Sequence, residues 1–242
     1  MRLALVGVLA YPVLALLLSK TTLLGVLDAF VVTGLIELLP TLAVAQVLLA
    51  REVVLERVPA YLNSGSSILL LGAVSLYLGH RLVGLEGLGL DTPWSAEKLV
   101  WTAALFGVGV ITLLVFRQIR RVLQIDEADF VHELMPVTSK EKGLFAVLSL
   151  CAGFGEEIAY RGYAISALVV ASGSATLALV LTSATFGLLH AYQGPIGVIR
   201  TGVVGLMMGG AFLYTGSLWP AIGAHALIDL VAGLVLKERL LS

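Results

Sequence analysis

The stretch GLFAVLSLCAGFGEEIAYRGYAISALVV, residues 143–170, decides the fold, because it is apolar and long enough to span a bilayer yet carries ionisable side chains near its centre. These side chains are Glu156, Glu157 and Arg161. One charged group in the middle of a spanning helix costs about 2.5 to 3.5 kcal/mol on insertion scales, so such groups indicate a functional site. The competing interpretation is a polar clasp between helices that serves structure alone.

The composition of the whole chain is that of a membrane protein. Of its 242 residues, 59% are hydrophobic and 13% are charged, and the mean hydropathy is +1.01. The net charge of −1 gives no sign of a nucleic-acid partner. A spanning helix needs roughly 20 apolar residues, so we predict an all-α, polytopic bundle of about eight transmembrane helices, forming a single membrane domain over residues 1–242. The predicted spans are 3–18, 22–50, 67–82 (the shortest), 99–116, 143–170, 175–192, 196–214 and 218–236.

Two polar features lie outside the central stretch. The second span contains Asp28, Glu37 and Pro40, so we predict that it is kinked or broken, and we consider either acid as a partner for Arg200. The segment 117–142 mixes charged and apolar residues in the pattern of an amphipathic helix at the membrane interface, with a solvated linker as the alternative.

The distribution of basic residues predicts the orientation. With eight spans, only Lys20, Arg81 and Lys98 lie on the side opposite the N-terminus, and Arg161 lies within the membrane. The other eleven of the fifteen basic residues lie on the N-terminal side. Because cytoplasmic loops carry an excess of Lys and Arg, we predict an integral, multi-pass membrane protein with both termini in the cytoplasm.

The three central charges differ in their relation to one another. Glu157 and Arg161 are spaced i, i+4, so they share one helical face and can form an ion pair. Glu156 is rotated by about 100° from Glu157 and cannot easily join that pair. A buried carboxyl without a full partner suits a general base or acid, and this is the predicted role of Glu156.

Two histidines fall inside predicted spans, His190 in the sixth and His225 in the eighth. His225 is followed one turn later by Asp229. Short connections between these spans allow the acids and histidines to converge on one cavity, where Glu156 can activate water directly. Alternatively, Glu156, His190 and His225 can hold a divalent metal such as zinc.

The motifs Glu156-Glu157-x-x-x-Arg161, Phe186-x-x-x-His190 and His225-x-x-x-Asp229 resemble, in this order, those of the CAAX protease and bacteriocin-processing (Abi) family of intramembrane proteases. The resemblance covers residues 140–236, and residues 1–139 contribute accessory spans without a motif. It implies an eight-helix endopeptidase with a site open toward the cytoplasm, which acts on membrane-associated or CAAX-like peptide and protein substrates within the lipid bilayer.

By this resemblance, Glu156 and His190 activate the water, and His225 with Asp229 supports the oxyanion. The prenyl-protein proteases of the family have Asn where this chain has Asp229. An ionised Asp cannot donate a hydrogen bond, but it can orient His225. We favour the glutamate mechanism without a cofactor over a metal-dependent one. The alternative function is a non-catalytic membrane scaffold or bacteriocin-immunity-type protein of the same fold.

Overall fold

The computed structural model describes residues 2–49, 55–91 and 95–241, and within them the chain is helical and contains no strand. We number the helices in chain order: α1 Arg2–Thr21, α2 Val26–Leu49, α3 Arg57–Gly87, α4 Ala96–Leu123, α5 Asp129–Leu134, α6 Ser139–Ser172, α7 Ala175–Leu189, α8 Gly194–Thr215, α9 Trp219–Leu234 and α10 Lys237–Leu241.

Eight of these helices correspond to the eight predicted spans. By length and composition, α1, α2, α3, α4, α6 and α8 (the last with a preceding 3₁₀ turn) can each cross a membrane. The helices α7 and α9 are apolar but shorter. The protein is therefore a multi-pass membrane protein, and the predicted all-α, polytopic fold is confirmed.

The predicted bounds of the third span are wrong. The structure has a helix of 31 residues, α3, where the sequence predicted 67–82. The early turns of α3 are polar, which hides them from a hydropathy window, and they are held by the Tyr61 hydroxyl, which donates to the carbonyl of Leu134 at 2.6 Å. Near the other end, Gly84 interrupts the helix with φ +74° and ψ 175°, a conformation that only glycine adopts readily.

The second span is irregular where its sequence predicted a kink. A π-helical segment, Gly34–Leu38, lies directly before Pro40. A proline inside a helix lacks a donor and crowds the preceding turn, so a local widening of the helix there is physically reasonable. The suggested pairing of Arg200 with this span is wrong, because Arg200 pairs with Glu127 instead.

The segment 117–142 is not one amphipathic helix. Its basic start is the last turn of α4, which ends at Gln124 in the left-handed conformation. Only the short helix α5 follows before α6 begins at Ser139 with a capping box of Thr138 and Glu141. In place of the predicted interfacial helix, residues 117–142 therefore form the end of α4, the short helix α5 and the start of α6.

The helix α6 lies in the centre of the bundle because glycines let its neighbours come close. A Cβ on Gly155 would lie 2.5 Å from the carbonyl oxygen of Ile68 on α3. A Cβ on Gly153 would lie 2.8 Å from the carbonyl oxygen of Ile222 on α9. Neither distance is compatible with a side chain, so α3 and α9 pack directly against the backbone of α6.

Two basic residues make contacts near the start of α6. Arg57 lies 4.0 Å from Glu141, and Lys237 donates to the carbonyl of Pro136 at 2.9 Å. Both basic residues were predicted to lie on the cytoplasmic side.

Candidate active site

The backbone that carries the central charges changes its winding at the site. The residues Ile158–Ala164 of α6 form a π-helical segment that begins directly after Glu157. Two buried tyrosines fasten this segment to α2. Tyr160 donates to the carbonyl of Leu35 at 3.0 Å, and Tyr163 donates to the side chain of Asp28 at 3.1 Å. Such π segments often occur at functional sites, where they redirect side chains.

The ion pair between Glu157 and Arg161 is present. Nη1 of Arg161 donates to Oε1 of Glu157 at 2.8 Å, and the two side chains are 3% and 0% exposed. A buried carboxylate requires a partner of this kind, because desolvation of an isolated charge costs several kcal/mol. The i, i+4 spacing therefore brings these groups together as the sequence predicted.

Glu157 has a second partner that the sequence did not predict. The same Oε1 lies 2.7 Å from Nδ1 of His225 on α9. The carboxylate can only accept, so His225 carries its proton on Nδ1. The two residues are 68 positions apart, and no sequence pattern links them. Gly153 stands one turn before Glu157 and Ile222 one turn before His225, so their close backbone contact sets this register.

The other ring nitrogen of His225 faces two more acids. Nε2 of His225 lies 3.9 Å from Oε2 of Glu156 and 3.6 Å from Oδ2 of Asp229. Both distances are too long for direct hydrogen bonds. The side chains of Glu156 and Asp229 are 17% and 38% exposed, whereas Glu157 is fully buried. His225 thus lies between the fully buried Glu157 and two more exposed acids, Glu156 and Asp229.

One oxygen of Glu156 is buried without a protein partner. Within the described parts of the chain, Oε2 of Glu156 makes no hydrogen bond. A buried acceptor left unsatisfied costs about 1 to 3 kcal/mol, more for a charged group, so this position needs a functional or solvent explanation.

His190 joins the cluster through Phe186. His190 follows the last residue of α7, and its Nδ1 donates to the carbonyl of Phe186 at 2.9 Å. The ring centroid of Phe186 lies 4.9 Å from that of His190 and 6.2 Å from that of His225. On the same ring, the guanidinium of Arg161 stacks at 4.1 Å. With Nδ1 occupied, Nε2 of a neutral His190 is an acceptor.

The arrangement was also tested for a metal. Across residues 2–49, 55–91 and 95–241, no group of three His, Cys, Asp or Glu side chains is placed so that it could hold a metal ion. Glu156 and His225, two members of the proposed metal set, lie 3.9 Å apart, measured from Oε2 to Nε2.

Comparison with known proteins adds one result. Residues 139–231 match the family model described as type II CAAX prenyl endopeptidase Rce1-like. All three motifs noted in the sequence lie inside the matched range, so the resemblance is confirmed. No curated protein and no solved structure matches the chain.

Proposed function

We propose that this protein is an intramembrane endopeptidase in which Glu156 activates the attacking water. The match of residues 139–231 to the Rce1-like family model of type II CAAX prenyl endopeptidases supports a protease role in general. The reaction mechanism, the roles of individual residues and the substrate are our proposals.

The observation that carries the proposal is the buried, unsatisfied Oε2 of Glu156, which lies 3.9 Å from Nε2 of His225. A carboxylate oxygen in this position can accept a hydrogen bond from a water. Glu157 also has a buried oxygen without a hydrogen bond, Oε2, but its side chain is 0% exposed and its Oε1 is held by Arg161 and His225. The side chain of Glu156 is 17% exposed, so water reaches it more readily. Of the two adjacent glutamates, Glu156 is therefore the proposed general base.

The proposed reaction is hydrolysis without a covalent intermediate. Glu156 takes one proton from water as the water oxygen attacks the carbonyl carbon of the scissile peptide bond. The carbonyl oxygen becomes an oxyanion in the tetrahedral intermediate. Glu156 then gives its proton to the peptide nitrogen, and the C–N bond breaks to leave a carboxylic acid and an amine. The acid passes its remaining proton to the amine, so the final products are a carboxylate and an ammonium group.

The two histidines have separate proposed roles. His190, whose Nδ1 is held by Phe186, presents Nε2 as an acceptor that helps to hold the water. His225, held at Nδ1 by Glu157, turns Nε2 toward Glu156 and is suited to support the oxyanion as an imidazolium donor. Asp229, 3.6 Å from that nitrogen, is proposed to orient and charge His225, which an asparagine would do less strongly.

The substrate class and the orientation of the site are also proposals. We propose membrane-associated peptides or proteins with CAAX-like ends as substrates, and a site that opens toward the cytoplasm. The most exposed acid, Asp229, marks the open side of the cluster. We also propose that Arg57, which lies 4.0 Å from Glu141, and Lys237, which donates to the carbonyl of Pro136, face the cytoplasm.

The test is cleavage by purified protein in lipid vesicles. The probe is a fluorogenic peptide that ends in a CAAX sequence, used with and without a prenyl group. We expect Glu156→Gln to abolish cleavage without loss of folded protein. A matched control is Glu37→Gln, because Glu37 also lies in a span and also has a buried Oε2 with no hydrogen bond among the described residues. The control should keep full activity.

Metal chelators distinguish the glutamate mechanism from a metal-dependent mechanism. Under the glutamate mechanism, EDTA and phenanthroline leave the rate unchanged. If chelators abolish cleavage and added zinc restores it, the metal-free mechanism is wrong.

A non-catalytic scaffold is the second candidate function. It is favoured by the complete burial of Glu157, which joins α6 and α9 through one oxygen as a structural clasp would. If the protein is a scaffold, neither peptide is cleaved and Glu156→Gln has no effect. Substitutions that break the ion pair between Glu157 and Arg161 then impair only folding.

A further inference from the structure

A second cluster of buried charges lies outside the residues used above. Glu127, in the connection between α4 and α5, has Oε2 at 3.1 Å from Nη2 of Arg120 and at 3.5 Å from Nη1 of Arg200. The three side chains are at most 10% exposed. Arg120 also donates to the carbonyl of Leu240. We call Arg120, Glu127 and Arg200 the ion triad.

Arg200 of the ion triad is connected toward the candidate active site through Gln193. Nη2 of Arg200 donates to Oε1 of Gln193 at 2.9 Å. A guanidinium has only donors, so this contact fixes which end of the Gln193 amide faces Arg200. Thr201 donates to the same oxygen at 3.3 Å. The amide nitrogen of Gln193 is thereby directed to the hydroxyl oxygen of Tyr192, at 3.2 Å.

Tyr192 in turn contacts His190. The ring centroids of Tyr192 and His190 are 5.8 Å apart, and the other neighbour of Tyr192 is Phe130 of α5, at 5.3 Å. His190 lies just beyond the end of α7, with non-helical backbone angles, so the regular helix does not by itself fix its position. Its ring is bounded by Phe186 on one side and Tyr192 on another.

We propose that Arg200 is a positioning residue for the hydrolysis, acting on His190 through Gln193 and Tyr192. This inference rests on the proposed function, because it matters only if His190 helps to hold the water. Glu127 holds the guanidinium group of Arg200, and Arg200 orients the amide of Gln193. That amide holds the phenol of Tyr192, and the ring of Tyr192 limits where the imidazole can lie.

The ion triad supplies its own matched control. Arg120 and Arg200 bind the same oxygen of Glu127, but Arg200 alone of the two contacts Gln193. Lysine keeps the positive charge yet cannot bind Glu127 and Gln193 with a planar fork. Arg200→Lys therefore breaks the connection to His190, whereas Arg120→Lys disturbs the ion triad and the contact with Leu240 but leaves Gln193 bonded to Arg200.

The first measurement is steady-state cleavage of the CAAX-ended peptide by the full-length protein in vesicles. We expect Arg200→Lys to lower kcat by roughly tenfold, less than the ~100-fold that a 1 Å misplacement can cost, with KM within about twofold. Arg120→Lys should keep kcat within about twofold of the wild type. Equal losses in both variants, or a loss confined to KM, would overturn the proposal.

The second measurement does not depend on activity. The nitrogen signals of ¹⁵N-labelled histidine, with His190 assigned through His190→Asn, should shift in Arg200→Lys and in Gln193→Glu but not in Arg120→Lys. Gln193→Glu keeps a partner for Arg200 and removes the donor to Tyr192. Unchanged His190 signals in both of the first two variants would overturn the proposal. If Glu156→Gln still cleaves while these signals shift, the proposed function fails and the positioning of His190 stands.

Discussion

Glu157 and Glu127 are two buried glutamates in different regions of the molecule, and the buried charge of each is stabilised by nearby cationic or donor groups. In each, one carboxylate oxygen serves two cationic or donor groups: Arg161 and His225 for Glu157, and Arg120 and Arg200 for Glu127. In each, the other oxygen is buried and has no partner among the described residues. The difference is that Glu157 has one partner on its own helix, while both partners of Glu127 come from other parts of the chain.

The cluster around Glu157 and the ion triad therefore depend on the fold to different extents. The pair of Glu157 and Arg161 is within reach as soon as α6 winds, so packing needs to supply only His225. The ion triad exists only when α4, the connection after it and α8 have all come together. We therefore expect Glu157 to be the more costly charge to remove and Glu127 to be the more sensitive reporter of assembly.

The largest expected effect comes from Glu157→Gln. It leaves the guanidinium of Arg161, 3% exposed, without a counter-ion, and breaking a buried pair in this way costs about 3 to 5 kcal/mol. The measurement is the free energy of unfolding in mixed detergent and SDS micelles. The double variant with Arg161→Met should recover part of the loss, and a failure to recover any would contradict an ion-pair origin.

Glu127→Gln should have the next largest effect, about 2 to 3 kcal/mol, since hydrogen bonds to a charged group are lost while both arginines keep other acceptors. The same unfolding measurement checks it. A loss as large as that of Glu157→Gln would mean that the two clusters do not differ as proposed.

Gly153→Ala should cost about 1 to 3 kcal/mol, because its new methyl group would meet the carbonyl of Ile222 and force α6 and α9 apart. We also expect it to reduce cleavage, since the same contact sets His225 beside Glu157. Gly107→Ala and Gly210→Ala are the controls, as a Cβ at either position meets nothing within 4 Å. Equal effects at all three glycines would exclude this packing as the cause.

The smallest predicted effect is that of Tyr160→Phe, which removes the hydrogen bond to Leu35 and should cost about 1 kcal/mol. Tyr163→Phe, which loses its bond to Asp28 instead, should behave alike. If both substitutions leave stability and cleavage unchanged, the attachment of the π segment to α2 has no part in holding the site.

Much of the fold was predictable because hydropathy and helical periodicity are local properties. The eight apolar segments and the contact of Glu157 with Arg161 follow from them. The bounds of α3 were missed because its first turns are polar, and their helical state depends on contacts such as that of Tyr61 with Leu134. The interfacial helix predicted for 117–142 was wrong because Gln124 ends α4 by a backbone conformation that composition does not reveal.

For the candidate site, the sequence supplied the residues but not all of their partners. His225 and Asp229 share a face, as predicted, and Nε2 of His225 lies 3.6 Å from Asp229 and 3.9 Å from Glu156. The bond from His225 to Glu157 and the route from Arg200 to His190 carry no sequence pattern, since their members are far apart in the chain or in an irregular turn.

By itself, the sequence determined that this protein lies in a membrane, which helices carry its charges and which charges pair along one helix. Local hydrophobicity and the 3.6-residue period suffice for these. The tertiary structure alone decided that His225 bonds to Glu157, at 2.7 Å, and lies 3.9 Å from Glu156. That choice depends on how closely the backbones of α6 and α9 approach at Gly153, a distance set by packing across the bundle.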